Sequence, residues 1–182
     1  MHSRRSIADL IPQAVLALMM AAFCVALYTS LQETIVNAGD KAPNFSIASD
    51  DGKTITAREF GGKLLLLNFW ATWCPPCIEE IPGLNEMARQ LGPKGLVILG
   101  VSVDKDEAVY KKFLAKNPLA YLTARDPAEN INLSYGTIQY PESYLIDRNG
   151  RVLEKYISSQ RWASPQMVIA CCWAFNCVDS SR

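Results

Sequence analysis

Charged residues are absent from Ile11 to Leu31 (IPQAVLALMMAAFCVALYTSL), whereas beyond Gly39 apolar and polar stretches alternate on the scale of single strands and helices. An uncharged run of this length matches the ~20 residues a bilayer-spanning helix needs, and it predicts a transmembrane helix over 11–31. Downstream, the turn Asp50-Asp51-Gly52-Lys53 separates Phe45-Ser46-Ile47 from Thr54-Ile55-Thr56, a hairpin pattern. Leu64 to Trp70 (LLLLNFW) is apolar except for Asn68, as expected of a central strand buried on both faces. Over Ile78–Leu91 the apolar residues Ile81, Leu84, Ala88 and Leu91 then recur at helical spacing, which predicts a helix that starts at the cysteines and is stopped by Gly92 and Pro93. Leu96 to Val103 reads as a second buried strand and Asp106 to Lys116 as a second helix ended by Asn117-Pro118. Ser143–Ile146 and Val152–Ile157 flank Asp147-Arg148-Asn149-Gly150, another hairpin signal. Ser164-Pro165 supplies an N-cap and first-turn proline for a C-terminal helix. No comparable signal marks Tyr121 to Gln139.

Composition narrows the chemistry. At 182 residues the chain holds one globular domain and a short appendage. Lys plus Arg and Asp plus Glu number 18 each, so no net field exists to attract nucleic acid. The only histidine is His2, which leaves the folded part without a histidine base or a Cys/His metal site. Arg4 and Arg5 precede the apolar run and no basic residue closely follows it. That asymmetry divides the chain into a cytoplasmic segment 1–10, a single-pass membrane anchor 11–31, a linker 32–40 and a domain 41–182 outside the inner membrane, in the periplasm or extracytoplasmic space. A cleaved signal peptide, cut after Val36-Asn37-Ala38, is the rival reading. Cys24 reads as a lipid-facing small residue.

The chemistry lies in Cys74-Pro75-Pro76-Cys77, where a buried strand passes into a helix. Both sulfurs then sit at a helix N-terminus, where free N–H groups and the dipole favour a thiolate, with Cys74 the more exposed. The Cys74 thiolate attacks a substrate disulfide, and Cys77 resolves the mixed disulfide and leaves the pair oxidised; the reverse direction makes an oxidant. A zinc site would need a second ligand pair, which Cys171, Cys172 and Cys177 do not supply in matching spacing. No metal or other cofactor is expected. Pro75 and Pro76 lack the N–H that would otherwise face the Cys74 sulfur, so the thiolate should be weakly stabilised and the protein should act as a reductant.

The segment Asn68-Phe69-Trp70-Ala71-Thr72-Trp73-Cys74-Pro75-Pro76-Cys77 resembles the active-site segment of the thioredoxin superfamily, and in particular its membrane-anchored TlpA/ResA/CcmG-like group. Pro82, the stretch Tyr140-Pro141-Glu142-Ser143-Tyr144-Leu145-Ile146-Asp147 and the following hairpin extend the likeness over about residues 40 to 165. The resemblance implies an α/β thioredoxin-like fold, with a central mixed sheet flanked by helices. It implies a cis-proline at Pro141 that offers backbone groups to substrate, with Trp73 and Tyr140 beside it. It also implies protein thiol or disulfide substrates, such as apocytochrome c cysteines, and a membrane thiol–disulfide transporter as electron donor. Asn68 stands where thioredoxin has a buried acid, and an amide cannot shuttle a proton. Glu80, one helical turn beyond Cys77, matches a glutamate of ResA-like proteins and is the expected proton acceptor for Cys77, against a plainer role as a first-turn carboxylate. Glu142 is a weaker second candidate, and Trp70 is expected in the core.

Two other functions share this fold. A peroxiredoxin-type thiol peroxidase needs a threonine three residues before its cysteine, where Ala71 stands and Thr72 is one place off. A copper metallochaperone needs a different cysteine spacing and a distant histidine. The tail cysteines Cys171, Cys172 and Cys177 read as small buried hydrophobes on the last helix, with a structural disulfide or a redox relay as alternatives.

Overall fold

The computed structural model describes the backbone over 7–31 and 35–179 and the side chains over 12–27 and 35–174. It divides into two units, Met1–Thr34 and Ile35–Arg182. In the first, helix α1 (Ile7–Leu31) takes in the whole uncharged run. Its described side chains are exposed on every side, among them Leu16, Leu18, Met19 and Phe23. Among the described residues, whose side chains in α1 stop at 12 and 27, no helix is long and apolar enough to cross a membrane. The expected span 11–31 is helical throughout.

The second unit runs β1 (Ser46–Ala48), β2 (Thr54–Thr56), β3 (Leu64–Trp70), α2 (Pro75–Leu91), β4 (Leu96–Ser102), α3 (Glu107–Lys116), β5 (Leu122–Arg125), α4 (Asn130–Ser134), β6 (Glu142–Asp147), β7 (Val152–Ile157) and α5 (Pro165–Asp179). β1 and β2 form the expected small hairpin. The main sheet has the order β5-β4-β3-β6-β7, with β3 parallel to β4 and antiparallel to β6. This is the mixed sheet flanked by helices that the resemblance implies.

β3 shows why its sequence is an almost unbroken apolar run. Leu65, Leu67 and Phe69 point into a core with Leu99, Val101, Tyr135 and Tyr144. Leu64 and Leu66 point the other way, onto Leu84, Met87 and Leu91 of α2 and Trp162. Both faces are covered, so alternation disappears. Opposite Asn68 lies Gly100 of β4, where an added Cβ would come within 3.0 Å of Trp70 Nε1. The gap there admits the Trp70 indole, which is buried against Tyr110 and Phe113.

α2 begins at Pro75, at the cysteines as expected, with both prolines in its first turn, where a fixed φ suits the helix and a missing N–H costs no bond. Two stretches differ from the sequence reading. Asp106 caps α3 instead of joining it, its carboxylate accepting from the amides of Ala108 and Val109. The unread stretch after Tyr121 contains β5 and the five-residue α4.

Candidate active site

Chain direction sets up the site. β3 ends at Trp70, and after three intervening residues the chain enters α2 through Cys74, whose extended backbone serves as N-cap. Cys74 and Cys77 are joined by a disulfide of 2.07 Å. Cys74 retains 5% exposure against 1% for Cys77, so the N-terminal cysteine is the more accessible residue, though both are buried. The amides of Cys77 and Ile78 donate to the Cys74 carbonyl at 3.1 and 3.2 Å. The proline positions have none to add.

The loop entering the helix is held from β4. Thr72 donates its backbone N–H to Asp104 Oδ2 at 2.9 Å and its hydroxyl to Asp104 Oδ1 at 2.6 Å, while Ser102 Oγ donates to Oδ2 at 2.6 Å. Asp104 is buried and sits just past the end of β4. The Thr72 hydroxyl is thus committed to a structural carboxylate, and Ala71 occupies the place where a peroxidase would need its threonine.

From the other side comes β6. Pairing of Phe69 with Glu142 sets Pro141 abreast of Trp70, and the Tyr140–Pro141 peptide bond is cis. Trp73, 63% exposed, meets Tyr140 edge to face at 6.0 Å. Tyr140 Oη accepts from Asn132 Nδ2 at 2.8 Å and donates to Glu129 Oε2 at 3.5 Å. Burial first, and then the Glu129 carboxylate, push its phenol up to about 12. These residues form one aromatic wall beside the disulfide.

Glu80 lies on α2 one turn beyond Cys77 and is buried. Oε1 accepts from Asn68 Nδ2 at 2.8 Å, and Oε2 accepts from Trp162 Nε1 at 2.9 Å and the Gln160 amide at 3.3 Å. Asn68 Nδ2 also donates to Ser143 Oγ at 2.9 Å. Burial raises the Glu80 carboxyl above the ordinary carboxylate value, and the Trp162, Gln160 and Asn68 donors partly oppose that shift. Ser158, in the left-handed region at φ 67°, turns the chain out of β7. Its N–H donates to the Pro141 carbonyl at 3.0 Å, so a single turn holds the cis-proline loop and delivers Gln160 and Trp162 to Glu80. Sequence reasoning found Glu80 by its place after Cys77 and the resemblance, but missed Trp162, Gln160, Ser143 and Asp104.

Glu142 is also buried, but its Oε1 is taken by Lys155 Nζ and Tyr144 Oη, both at 2.7 Å. That bonding gives it a sheet-linking part rather than a share in proton transfer. In the tail, Cys171 is buried against Leu64, Leu66 and Trp162 while Cys172 is half-buried, and neither is paired. Burial, with Cys172 adjacent, pushes the Cys171 thiol up to about 11. The Cys177 side chain lies outside the described residues.

Comparison with known proteins matches residues 38–155 to the AhpC/TSA family. The thiol-disulfide oxidoreductase ResA of Bacillus thuringiensis subsp. konkukian is 36% identical over 129 residues, covering 71% of this chain and 75% of that one. ResA of Geobacillus thermodenitrificans is 32% identical over 140 residues, covering 76% and 80%. A crystal structure from Chlorobium tepidum, of a protein provisionally named thiol:disulfide interchange protein DsbE, is 31% identical, covers 79% of this chain and 98% of that one, and superimposes with a TM-score of 0.66.

Proposed function

This chain belongs to the AhpC/TSA family as a thioredoxin-like thiol–disulfide oxidoreductase of the ResA type, and from that membership we propose that it is a membrane-anchored, extracytoplasmic reductase of protein disulfides. The observation that carries the reading is the Cys74–Cys77 disulfide at the start of α2, with the buried Glu80 one turn behind it. In the reduced enzyme the Cys74 thiolate attacks a substrate disulfide, forming the Cys74–substrate bond and releasing one substrate thiolate. Glu80 takes the Cys77 proton. The Cys77 thiolate then displaces the second substrate thiolate and closes Cys74–Cys77, so the substrate gains two electrons and the enzyme loses two. Pro141, Tyr140 and Trp73 line the surface on which the substrate chain lies. Relatives named ResA support protein cysteines as substrates, and apocytochrome c cysteines are the class we favour. A membrane thiol–disulfide transporter restores the dithiol.

The uncharged run 11–31 within α1, with Arg4 and Arg5 ahead of it, supports a cytoplasmic segment 1–10, an anchor over 11–31, a linker 32–40 and a catalytic domain 41–182 outside the membrane. The test is covalent capture. Cys77→Ala should accumulate a mixed disulfide through Cys74 that can be identified by mass, and Cys74→Ser in the same background should abolish it. Capture that survives Cys74→Ser would refute the assignment of the attacking sulfur.

A further inference from the structure

Beside the wall formed by Trp73 and Tyr140 lies a cavity of about 510 Å³ that the exchange reaction leaves unused. Its other sides are the loop between β4 and α3, from Val103 to Asp106, together with Val109 of α3 and Glu129. Trp73 directly precedes Cys74, and Tyr140 directly precedes the cis-proline. Val103 is buried in the same apolar cluster as Cys74, with Tyr140 packed against it. A substrate cysteine bonded to Cys74 therefore brings its neighbouring residue to this cavity.

The lining combines apolar surface with negative charge. The two rings, Val103 and Val109 supply the apolar part, and Trp73 and Val109 stay exposed. Among the described residues that line it, three carry carboxylates, Asp104, Asp106 and Glu129, and one carries an ammonium, Lys105. Asp104 is buried beneath the bonds from Thr72 and Ser102. Asp106 uses Oδ1 for both amides of the α3 cap, and Oδ2 takes part in neither bond. Glu129 is held at long range on both oxygens: Oε1 lies 3.4 Å from Lys105 Nζ, and Oε2 accepts from Tyr140 Oη at 3.5 Å. The Lys105 side chain is 78% exposed, so it can turn out into water at small cost, an exposed ion pair being weak. Arg125, the next cation, does not line the cavity; its guanidinium donates to the Asp104 and Lys105 carbonyls and to Glu107.

We propose that this cavity is a specificity site that takes a lysine or arginine side chain next to the substrate cysteine attacked by Cys74. The aliphatic stem lies on Val103 and Val109, and the charged head displaces Lys105 from Glu129. The Trp73 and Tyr140 rings add cation–π attraction. An apolar side chain would cover the Glu129 and Asp106 carboxylates without giving either a partner, and an acidic one would meet three carboxylates. The proposal rests on the reading of Cys74 as the sulfur that attacks a protein disulfide.

The test uses the reduced full-length protein in detergent and three symmetric disulfides. Each is a pair of acetylated, amidated X-Cys-X peptides joined through cysteine, with lysine, norleucine or glutamate as X. Every rate of reduction is divided by the rate at which 2-mercaptoethanol reduces the same peptide, which removes the effect of charge on the leaving thiol. The normalised rate for lysine should exceed that for norleucine by roughly fivefold, as one partly exposed ion pair allows, and glutamate should be slowest. Glu129→Gln should bring the lysine-to-norleucine ratio close to one, as should about 1 M NaCl, whereas Lys105→Gln, which removes the competing ammonium, should raise it. A wild-type ratio near one, or a ratio that moves the same way in both variants, would overturn the proposal. So would a faster norleucine peptide, which would assign the cavity to apolar side chains, or a faster glutamate peptide, which would assign it to acidic ones through Lys105. Three peptides that 2-mercaptoethanol reduces and the protein does not would instead overturn the reading of Cys74 on which the proposal rests.

Discussion

Glu80 is bound by three donors that come from two parts of the chain, Asn68 on β3 and, from one turn after β7, the Gln160 amide and the Trp162 indole. A carboxylate so placed is costly to ionise because it is buried, yet it is kept usable as a base because every bond it makes favours the charged form. Glu80→Gln should therefore slow resolution of the mixed disulfide most strongly where the wild-type carboxyl is ionised; identical single-turnover rates at all pH values would contradict the proton-acceptor role. Trp162→Phe removes the indole donor, should cost about 1.5–3 kcal/mol of stability, and should move the pH profile of resolution upward. The equilibrium sign follows from the raised Glu80 carboxyl. The folded state holds its proton to higher pH than the unfolded chain, so this contribution to stability is complete below the ordinary carboxylate value and is lost as pH rises through the raised one. Wild-type stability measured against Glu80→Gln should accordingly decline over that interval. The helical spacing of Cys77 and Glu80 was readable in the sequence. Trp162 was not, because it lies 82 residues away in a turn whose path depends on the left-handed Ser158. Nor could the chain alone show that Glu142 is occupied by Lys155 and Tyr144.

Between elements, the reactive loop depends on Asp104. Its carboxylate accepts two bonds from Thr72 and one from Ser102, and so fastens the approach to α2 onto the end of β4. Asp104→Ala should leave these donors without partners and cost about 1–3 kcal/mol in chemical denaturation, together with slower attack by Cys74. Asp104→Asn, which keeps an acceptor for the Thr72 amide, should recover most of both. Equal losses in the two variants would contradict a positioning role. The strands and helices that the pattern marked best are those with long apolar runs or clear stops, β3, β4 and α2. β5 and α4 escaped because each is four or five residues long, too short for periodicity to register. α4 moreover starts from Glu129 in the left-handed region at φ 59°, a conformation that no helix-start signal announces. The prolines of the C-x-x-C motif were read for their missing N–H groups; their second property, fitness for the first helical turn, suits them to the start of α2 at Pro75, where the cysteines placed it.

For the whole molecule, the proposed direction of electron flow is argued from how the first turn of α2 spends its amides. Pro75 and Pro76 have none, and those of Cys77 and Ile78 donate to the Cys74 carbonyl, which leaves few backbone donors for a Cys74 thiolate. A poorly stabilised thiolate makes the reduced form the stronger electron donor. The resemblance over residues 40 to 165 made the fold and the cysteine pair legible from the start, because the motif's chemistry is local. The central claim is that this oxidoreductase works as a reductase, and the equilibrium of Cys74–Cys77 with glutathione measures it most directly. In a buffer poised at about −200 mV the pair should remain a disulfide, as expected for a potential well below that of glutaredoxins; a pair found reduced there, with a potential near the roughly −120 mV of the strong oxidant DsbA, would contradict it.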